Sequence, residues 1–289
     1  MQLDMFADSR GVILRHKLID TLRARDAAAG RRARARLAAE YPQDALLGPA
    51  AVLLGQIGRR RRPVADTAAA QAAVELIDHE VAPAAVQVFG PAKGDEWLAP
   101  LWSALAAALS ALPFDPEFPD AHAASVLLRM RQWQRARAAV ETITSWRSFP
   151  RPLAWMGRIA FELDGLEAAW PLLAELAWLA PADFAVLARG IASPSLARLL
   201  RDFDRHFDAG DDSEFAWFPA WAQLSDPGLG AALHDARTSP NGPAEQAARV
   251  VMQLQNLERQ GRQYEVAAKQ KALRALHEEL FARYMATRG

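Results

Sequence analysis

The pattern that most constrains this chain is the spacing of its apolar residues, which recur every three to four positions and are interrupted by proline or glycine. This spacing is typical of amphipathic helices. Strands would instead alternate polar and β-branched residues, and the sequence sustains no such alternation. The sequence therefore predicts an all-α fold in which short helices, joined by short loops, form antiparallel helical hairpins.

Capping residues, prolines and glycines indicate where the helices begin and end. The predicted helices lie near 10–25, with Ser9 as its cap, and near 27–41, 45–57, 65–81, 95–112, 120–130, 133–146, 151–163, 166–179, 182–190, 195–207, 214–224, 243–260 and 262–286. We expect three regions: a leader peptide at 1–8, a helical body at 9–240 and a C-terminal cap at 241–289.

The cap region carries an almost continuous apolar stripe from Val250 to Tyr284. This stripe predicts either one long helix or a hairpin broken at Gly261. A terminal cap of the helical body is the favoured interpretation, because the ends of stacked helical arrays need a polar outer face. A dimer contact is the other interpretation.

Composition narrows the class of protein. An apolar fraction of 51% with 24% charged residues is that of a globular chain. The absence of cysteine excludes disulfides and thiolate chemistry. The start shows no secretory signal, and the longest apolar stretch, at 101–112, is too short and interrupted to span a bilayer. We therefore expect a cytoplasmic protein without a membrane partner.

A net charge of zero conceals a basic N-terminal part. Residues 10–62 hold thirteen basic against four acidic residues, whereas 63–130 hold two against nine. Such a basic part predicts either a surface that contacts the nucleic-acid backbone or charges that are simply solvated. The candidate contacts are Arg31, Arg32, Arg34, Arg36, Arg59, Arg60, Arg61 and Arg62.

Enzyme signatures are missing. GPAKGD at 90–95 lacks the lysine position of a phosphate-binding loop, and GLGAAL at 228–233 lacks the third glycine of a dinucleotide fingerprint. The acidic stretch 201–215 matches no calcium loop, so we interpret it as a solvated helix end and loop. We predict a protein with no catalytic residues, no cofactor and no metal site.

All nine tryptophans lie between Trp97 and Trp221. Most are expected to fill the space between helices. The stretch FAWFPAW at 215–221 is the candidate for an exposed peptide groove, because it places four large aromatic residues around a helix-breaking proline. These residues are Phe215, Trp217, Phe218 and Trp221.

Matched small and apolar positions recur along 121–181. Gly157, Ala169 and Pro181 stand in one unit, and Ala136 precedes Ala169 by 33 residues. This stretch resembles tetratricopeptide (TPR) repeats, whose period is near 34 residues. The resemblance implies helical hairpins stacked as a TPR-like solenoid with irregular flanking helices. An alanine-rich bundle without true repeats is the alternative.

The leader contains Gln2, Leu3, Asp4, Met5 and Phe6. This pentapeptide resembles the motif with which bacterial DNA polymerases and repair proteins bind the β sliding clamp, and it matches at all five positions. The resemblance implies that Gln2 hydrogen-bonds at one subsite while Met5 and Phe6 enter an apolar pocket. Leu3 would add a side contact, and Asp4 would stay exposed.

The alternative for this leader is a hydrophobic staple, in which Met5 or Phe6 packs against Ile13 or Leu14 of the first helix. Our leading hypothesis is a non-enzymatic, TPR-like adaptor that docks on the bacterial sliding clamp near DNA replication or repair. The second is a TPR-like scaffold for an unidentified peptide or protein, with the leader packed on its own body.

Overall fold

The computed structural model describes residues 2–57, 64–207, 211–237 and 242–288, and of residues 2–9 the backbone alone. The described chain is all-helical and contains no strand, which confirms that the fold is all-α. None of its helices combines the length and apolarity that a bilayer crossing requires. The chain divides into two compact units, Met1–Gln132 and Trp133–Gly289. This division does not coincide with the predicted boundaries after residues 8 and 240.

The first unit contains seven α-helices in its described residues: α1 (Gln2–Arg23), α2 (Ala27–Glu40), α3 (Leu47–Ile57), α4 (Thr67–Leu76), α5 (Ala82–Phe89), α6 (Pro91–Leu109) and α7 (Ala123–Arg129). A π-helical turn at Ile77–Val81 joins α4 to α5. Aspartates start two of these helices: Asp26 accepts from the Ala29 N–H at 2.9 Å, and Asp66 accepts from the Ala69 N–H at 2.8 Å.

The sequence prediction differs from the first unit at three helix starts. Helix α1 begins at Gln2 rather than near residue 10, because nothing in 2–9 breaks a helix. Helix α5 was missed and α6 begins at Pro91 rather than residue 95. The reason is that Pro83 and Pro91 look like stops in the sequence, whereas each occupies a first helical turn, where proline is tolerated.

The first unit packs closely because small residues allow its helices to approach. A Cβ atom added to Gly94 of α6 would lie 3.2 Å from the backbone of Ala85 and Val86 in α5. Trp97 on α6 is buried and donates its indole N–H to the Leu22 carbonyl of α1 at 3.0 Å. The Arg25 guanidinium stacks 4.4 Å from the Trp97 ring centre. These contacts tie α1 to α6.

The second unit contains nine α-helices in its described residues: α8 (Trp133–Glu141), α9 (Pro150–Leu179), α10 (Pro181–Gly190), α11 (Pro194–His206), α12 (Phe218–Ser225), α13 (Pro227–Ala232), α14 (Pro243–Arg259), α15 (Gln263–Leu276) and α16 (Glu278–Ala286). Short 3₁₀ segments lie at Trp146–Ser148, Asp212–Trp217 and Leu233–Asp235. Most of these α-helices begin with proline, whose fixed φ suits the first turn.

Helix α9 consists of two arms that meet at Gly165, which has a φ of 88°. The arms pack against each other at Gly157, where an added Cβ would lie 3.3 Å from the Leu173 Cδ2 atom. This hairpin matches the predicted helices at 151–163 and 166–179. Ala136 and Ala169 are both fully buried, as expected of close helix contacts. The other predicted hairpin of this stretch, at 121–146, includes Gln132, the last residue of the first unit.

The C-terminal stretch is a hairpin rather than one long helix. Helices α14 and α15 pack together and are separated by Gly261, whose φ of 70° suits glycine. A second break at His277, which the sequence did not predict, begins α16. There the His277 ring accepts from the Leu280 N–H at 3.1 Å and so caps the helix.

Candidate partner-binding surfaces

The clamp-like pentapeptide Gln2–Phe6 forms the first turns of α1, and its side chains lie outside the described part of the structure. The contacts described for α1 begin at Arg10, which pairs with Glu40, and Arg15 pairs with Asp44. Leu18 and Leu22 are buried further along the helix. Residues that follow the pentapeptide therefore attach α1 to the rest of its unit.

The staple interpretation has little support from the described residues. A staple requires an apolar residue that precedes the helix, but Met5 and Phe6 are inside α1. Ile13, one of its proposed partners, retains 64% exposure, and Val12 beside it retains 44%. Leu14, the other proposed partner, is half-buried.

Helix α2 presents arginines on one side and small or apolar residues on the other. Gly30, Ala33 and Leu37 form its buried face, because they recur at spacings of three and four. Gly30 lies close to α3: an added Cβ would approach the Leu54 Cδ2 atom to 2.6 Å. The opposite face is therefore solvent-exposed, and it carries Arg31, Arg32 and Arg36.

Arg34 differs from its neighbours and corrects part of the sequence prediction. It is half-buried and donates through Nε to the Leu47 carbonyl at 2.9 Å, which joins α2 to the start of α3. Its guanidinium therefore stabilises the packing of α2 on α3, whereas we expected it on a surface that contacts nucleic acid. The other four arginines of that prediction, Arg59 to Arg62, lie outside the described residues.

The acidic residues of 10–57 are all engaged by neighbours in the same region. Glu40 and Asp44 pair with Arg10 and Arg15, and Asp20 pairs with Arg23. Asp26 caps α2. Within the described residues, no ion pair involves Arg31, Arg32 or Arg36, so this face of α2 keeps three uncompensated positive charges.

The predicted peptide groove at 215–221 is wrong for three of its four residues. Phe215, Phe218 and Trp221 are at most 1% exposed and belong to the core of the second unit. Only Trp217 is half-buried, with its ring centre 4.4 Å from that of His277. The reason is that α12 and the turn before it contact α9, α10, α14 and α16, which enclose the aromatic rings.

The rings in this core form one connected cluster. Phe203 of α11 lies 5.2 Å from Phe218 and 5.5 Å from Trp221 between ring centres, both in edge-to-face geometry. Trp170 and Phe184 lie 6.1 Å and 5.3 Å from Phe218. Such pairs add to the free energy of burial, so the cluster stabilises the second unit and offers no surface to a peptide.

The acidic stretch 201–215 brings together no set of metal ligands in the residues that the structure describes, although Asp208 lies outside them. Arg205 pairs with Asp202 at 3.2 Å, and Arg189 approaches Asp204 and Asp212 at 4.0 and 3.9 Å. Three of the described carboxylates thus face arginines, whereas Asp211 accepts from the Ser213 backbone N–H and hydroxyl.

A buried carboxylate escaped the sequence analysis. Glu175 of α9 is 8% exposed and accepts from the Arg147 guanidinium at 3.0 Å and from the Arg237 backbone N–H at 2.7 Å. Burial raises the pKa of the Glu175 carboxyl, while these two donors and the nearby charges of Arg147 and Arg237 oppose the rise and Glu245 adds to it. Glu175 sits in an apolar helical pattern, so only the tertiary structure identifies it.

A depression of about 570 Å³ in the second unit is lined in part by Gln255, Glu258, Arg259 and Arg288. Glu258 accepts from Arg288 Nε at 2.6 Å and from the Tyr284 hydroxyl. The hydrogen bond from Arg288, aided by that from Tyr284, lowers the pKa of the Glu258 carboxyl. Glu258 and Arg288 are therefore paired with each other, and Arg259 is hydrogen-bonded within its own helix to the Gln255 carbonyl at 3.2 Å and to Asn256 Oδ1 at 2.7 Å.

No protein-family model matches this chain, and neither a curated protein nor a solved structure matches it.

Proposed function

We propose that this protein is a non-enzymatic helical adaptor that docks on the bacterial β sliding clamp through Gln2, Leu3, Asp4, Met5 and Phe6, and so acts near DNA replication or repair. The observation that carries the proposal is the five-residue match to the clamp motif at the start of α1. Met5 and Phe6 supply the apolar anchors that such a peptide needs on its partner.

Docking as an extended peptide requires the first turns of α1 to unwind. The first four N–H groups of a helix have no partner within it, and helix ends open at low free-energy cost. The ion pairs of Arg10 and Arg15 and the buried Leu18 and Leu22 would remain in place. The pentapeptide can therefore be released while the rest of α1 stays attached to the first unit.

Binding to an immobilised clamp from the same organism tests this proposal. We expect micromolar affinity, about −8 kcal/mol, and a loss of measurable binding in Phe6→Ala with an unchanged melting temperature. Asp4→Ser should bind as the wild type does, because both residues fit the motif. Ile13→Ala is the matched control, since it removes an exposed apolar group from the same helix outside the motif.

Wild-type protein that folds but does not bind the clamp would end this proposal. Loss of binding in Ile13→Ala equal to that in Phe6→Ala would mean general apolar adhesion instead of motif recognition. A destabilised Phe6→Ala that binds no worse than wild type would favour the second hypothesis, in which the leader packs on its own body.

We further propose that the helical hairpins of 121–181 stack in the TPR-like manner and serve as a scaffold for a peptide or protein partner. The support is the hairpin formed by the two arms of α9, together with the burial of Ala136 and Ala169 one repeat length apart. A peptide surface on this scaffold would have to avoid Phe215, Phe218 and Trp221, which are core residues. An experimental structure of the protein tests the stacking. We expect residues 121–146 to form a hairpin that packs side by side with the hairpin formed by the two arms of α9.

A further inference from the structure

We propose that the exposed face of α2 is a sequence-independent contact surface for the backbone of double-stranded DNA, formed by Arg31, Arg32 and Arg36. This surface is separate from the clamp motif, and it excludes Arg34, whose guanidinium is used inside the fold.

The acidic residues near the end of α2 are already used in ion pairs with α1. Glu40, at the end of α2, is paired with Arg10, and Asp44, just beyond it, is paired with Arg15. Arg32 and Arg36 lie one helical turn apart, where like charges destabilise a helix slightly. Helix α2 therefore carries three exposed positive charges, and none of them is paired with an acidic residue in the described part of the structure.

A second feature is the match in length. A rise of 1.5 Å per residue places Arg31 and Arg36 about 7.5 Å apart along the helix axis. Each strand of duplex DNA carries one phosphate per about 3.4 Å of the duplex axis. The Arg31–Arg36 spacing therefore covers about two phosphates of one strand, and the long arginine side chains reach beyond this spacing to a third.

A third feature is the chemistry of the remaining surface. Helix α2 contains only Ala, Gly, Arg and Leu before Glu40, so its side chains offer guanidinium donors, which suit phosphate oxygens, and none of the amide or hydroxyl groups that read adenine or accept from a ribose 2′-hydroxyl. The aromatic ring that follows α2, that of Tyr41, is half-buried beside Gly11 of α1, so the described part of α1, α2 and α3 offers bases no fully exposed Phe, Tyr or Trp ring. These features favour duplex DNA over single strands and over RNA.

Fluorescence anisotropy with two unrelated duplexes of equal length tests the proposal. We expect equal affinity for both, and a fall of about forty-fold between 50 and 200 mM salt, because three neutralised phosphates give a salt slope of about −2.7. The triple variant Arg31→Gln, Arg32→Gln, Arg36→Gln should bind at least about tenfold more weakly at low salt and lose most of this slope.

The matched control removes three exposed arginines from α11, Arg198→Gln, Arg201→Gln and Arg205→Gln, where Asp202 and Asp204 lie on the same helix. It should bind duplex DNA within about twofold of wild type. Circular-dichroism melts of both variants establish that each is folded, and the assay contains no clamp, so its outcome is independent of the docking proposal.

Absence of duplex binding at low salt would overturn this inference, as would an equal loss in the α11 variant, which would mean that net charge alone matters. Tighter binding to single-stranded DNA or to RNA of the same length would also overturn it. So would binding to phosphatidylglycerol vesicles, lost in the α2 variant, without any binding to duplex.

Discussion

The arginine face of α2 and the aromatic segment 215–221 both have compositions typical of binding surfaces, yet they have opposite environments. Arg31, Arg32 and Arg36 point to solvent, because only one side of α2 is covered. Phe218 and Trp221 are fully buried, because several helices surround α12. The difference teaches that composition describes what a segment can bind, whereas the number of packed neighbours decides whether a partner can reach it.

Truncation of the aromatic cluster should have the largest effect. Phe218→Ala removes a fully buried ring that contacts five others, so we expect a loss of about 3–5 kcal/mol of unfolding free energy. Urea denaturation followed by circular dichroism measures it. Trp217→Ala is the control and should lose less, since Trp217 is half-buried. A loss in Phe218→Ala below that of the control would place Phe218 at the surface and remove the contrast with α2.

Enlargement of a small buried residue should have the next largest effect. Ala169→Leu inserts a larger side chain at a fully buried position of α9, and overpacking should destabilise the protein by about 1–3 kcal/mol. Ala168→Leu is the matched control, because its neighbouring position on the same helix is exposed. Thermal melts of the two variants compare them, and equal stability would mean that Ala169 is not at a close contact.

Two arginines of α2 sharpen the comparison within one helix. Arg34→Gln removes the donor to the Leu47 carbonyl, and we expect a loss of about 1–2 kcal/mol because hydrogen bonds from charged groups are stronger than neutral ones. Arg32→Gln should stay within about 0.5 kcal/mol, as exposed substitutions generally do. The midpoints of denaturant unfolding of the two variants measure these losses of stability. The opposite order would mean that Arg32 holds the fold and is not available to DNA.

The smallest expected effect is a change in pH dependence at Glu175. Its pKa is raised in the folded protein, so the folded state binds its proton more tightly than the unfolded state does. The contribution of Glu175 to stability must therefore fall as the pH rises from about 4.5 through this raised pKa. In Glu175→Gln this contribution is absent, so the stability of the variant relative to wild type should improve with rising pH. Unfolding free energies measured from pH 4.5 to 7.5 provide the slope.

Glu258 supplies the opposite sign as a control for that slope. Its pKa is lowered by Arg288 and Tyr284, so its contribution is present above the unfolded pKa and is lost as the pH falls through the folded pKa. Glu258→Gln should therefore lose stability relative to wild type as the pH rises toward neutrality. If Glu175→Gln behaved in the same way as Glu258→Gln, the Arg147 ion pair would outweigh burial at Glu175.

The sequence by itself determined the helical class and many of the helix breaks. Apolar spacing and helix-ending residues act over a few positions, so Gly165 and Gly261 could be identified as breaks without knowledge of the rest of the chain. The small residues Ala136, Gly157 and Ala169 were predicted at close helix contacts because they stand at the small-residue positions of the repeat that 121–181 resembles. The proline-led starts of α5 and α6 were misjudged, because proline both ends helices and begins them.

Only the tertiary structure decided which side chains face solvent. Arg34 and Arg36 are two residues apart in an alanine-rich helix, yet one reaches the Leu47 carbonyl and the other does not face a described acid. Glu175 and the aromatic rings of 215–221 are buried by helices distant in sequence. Burial and charge pairing depend on such distant contacts, which periodicity does not encode, and this is why the sequence predicted helices better than it predicted surfaces.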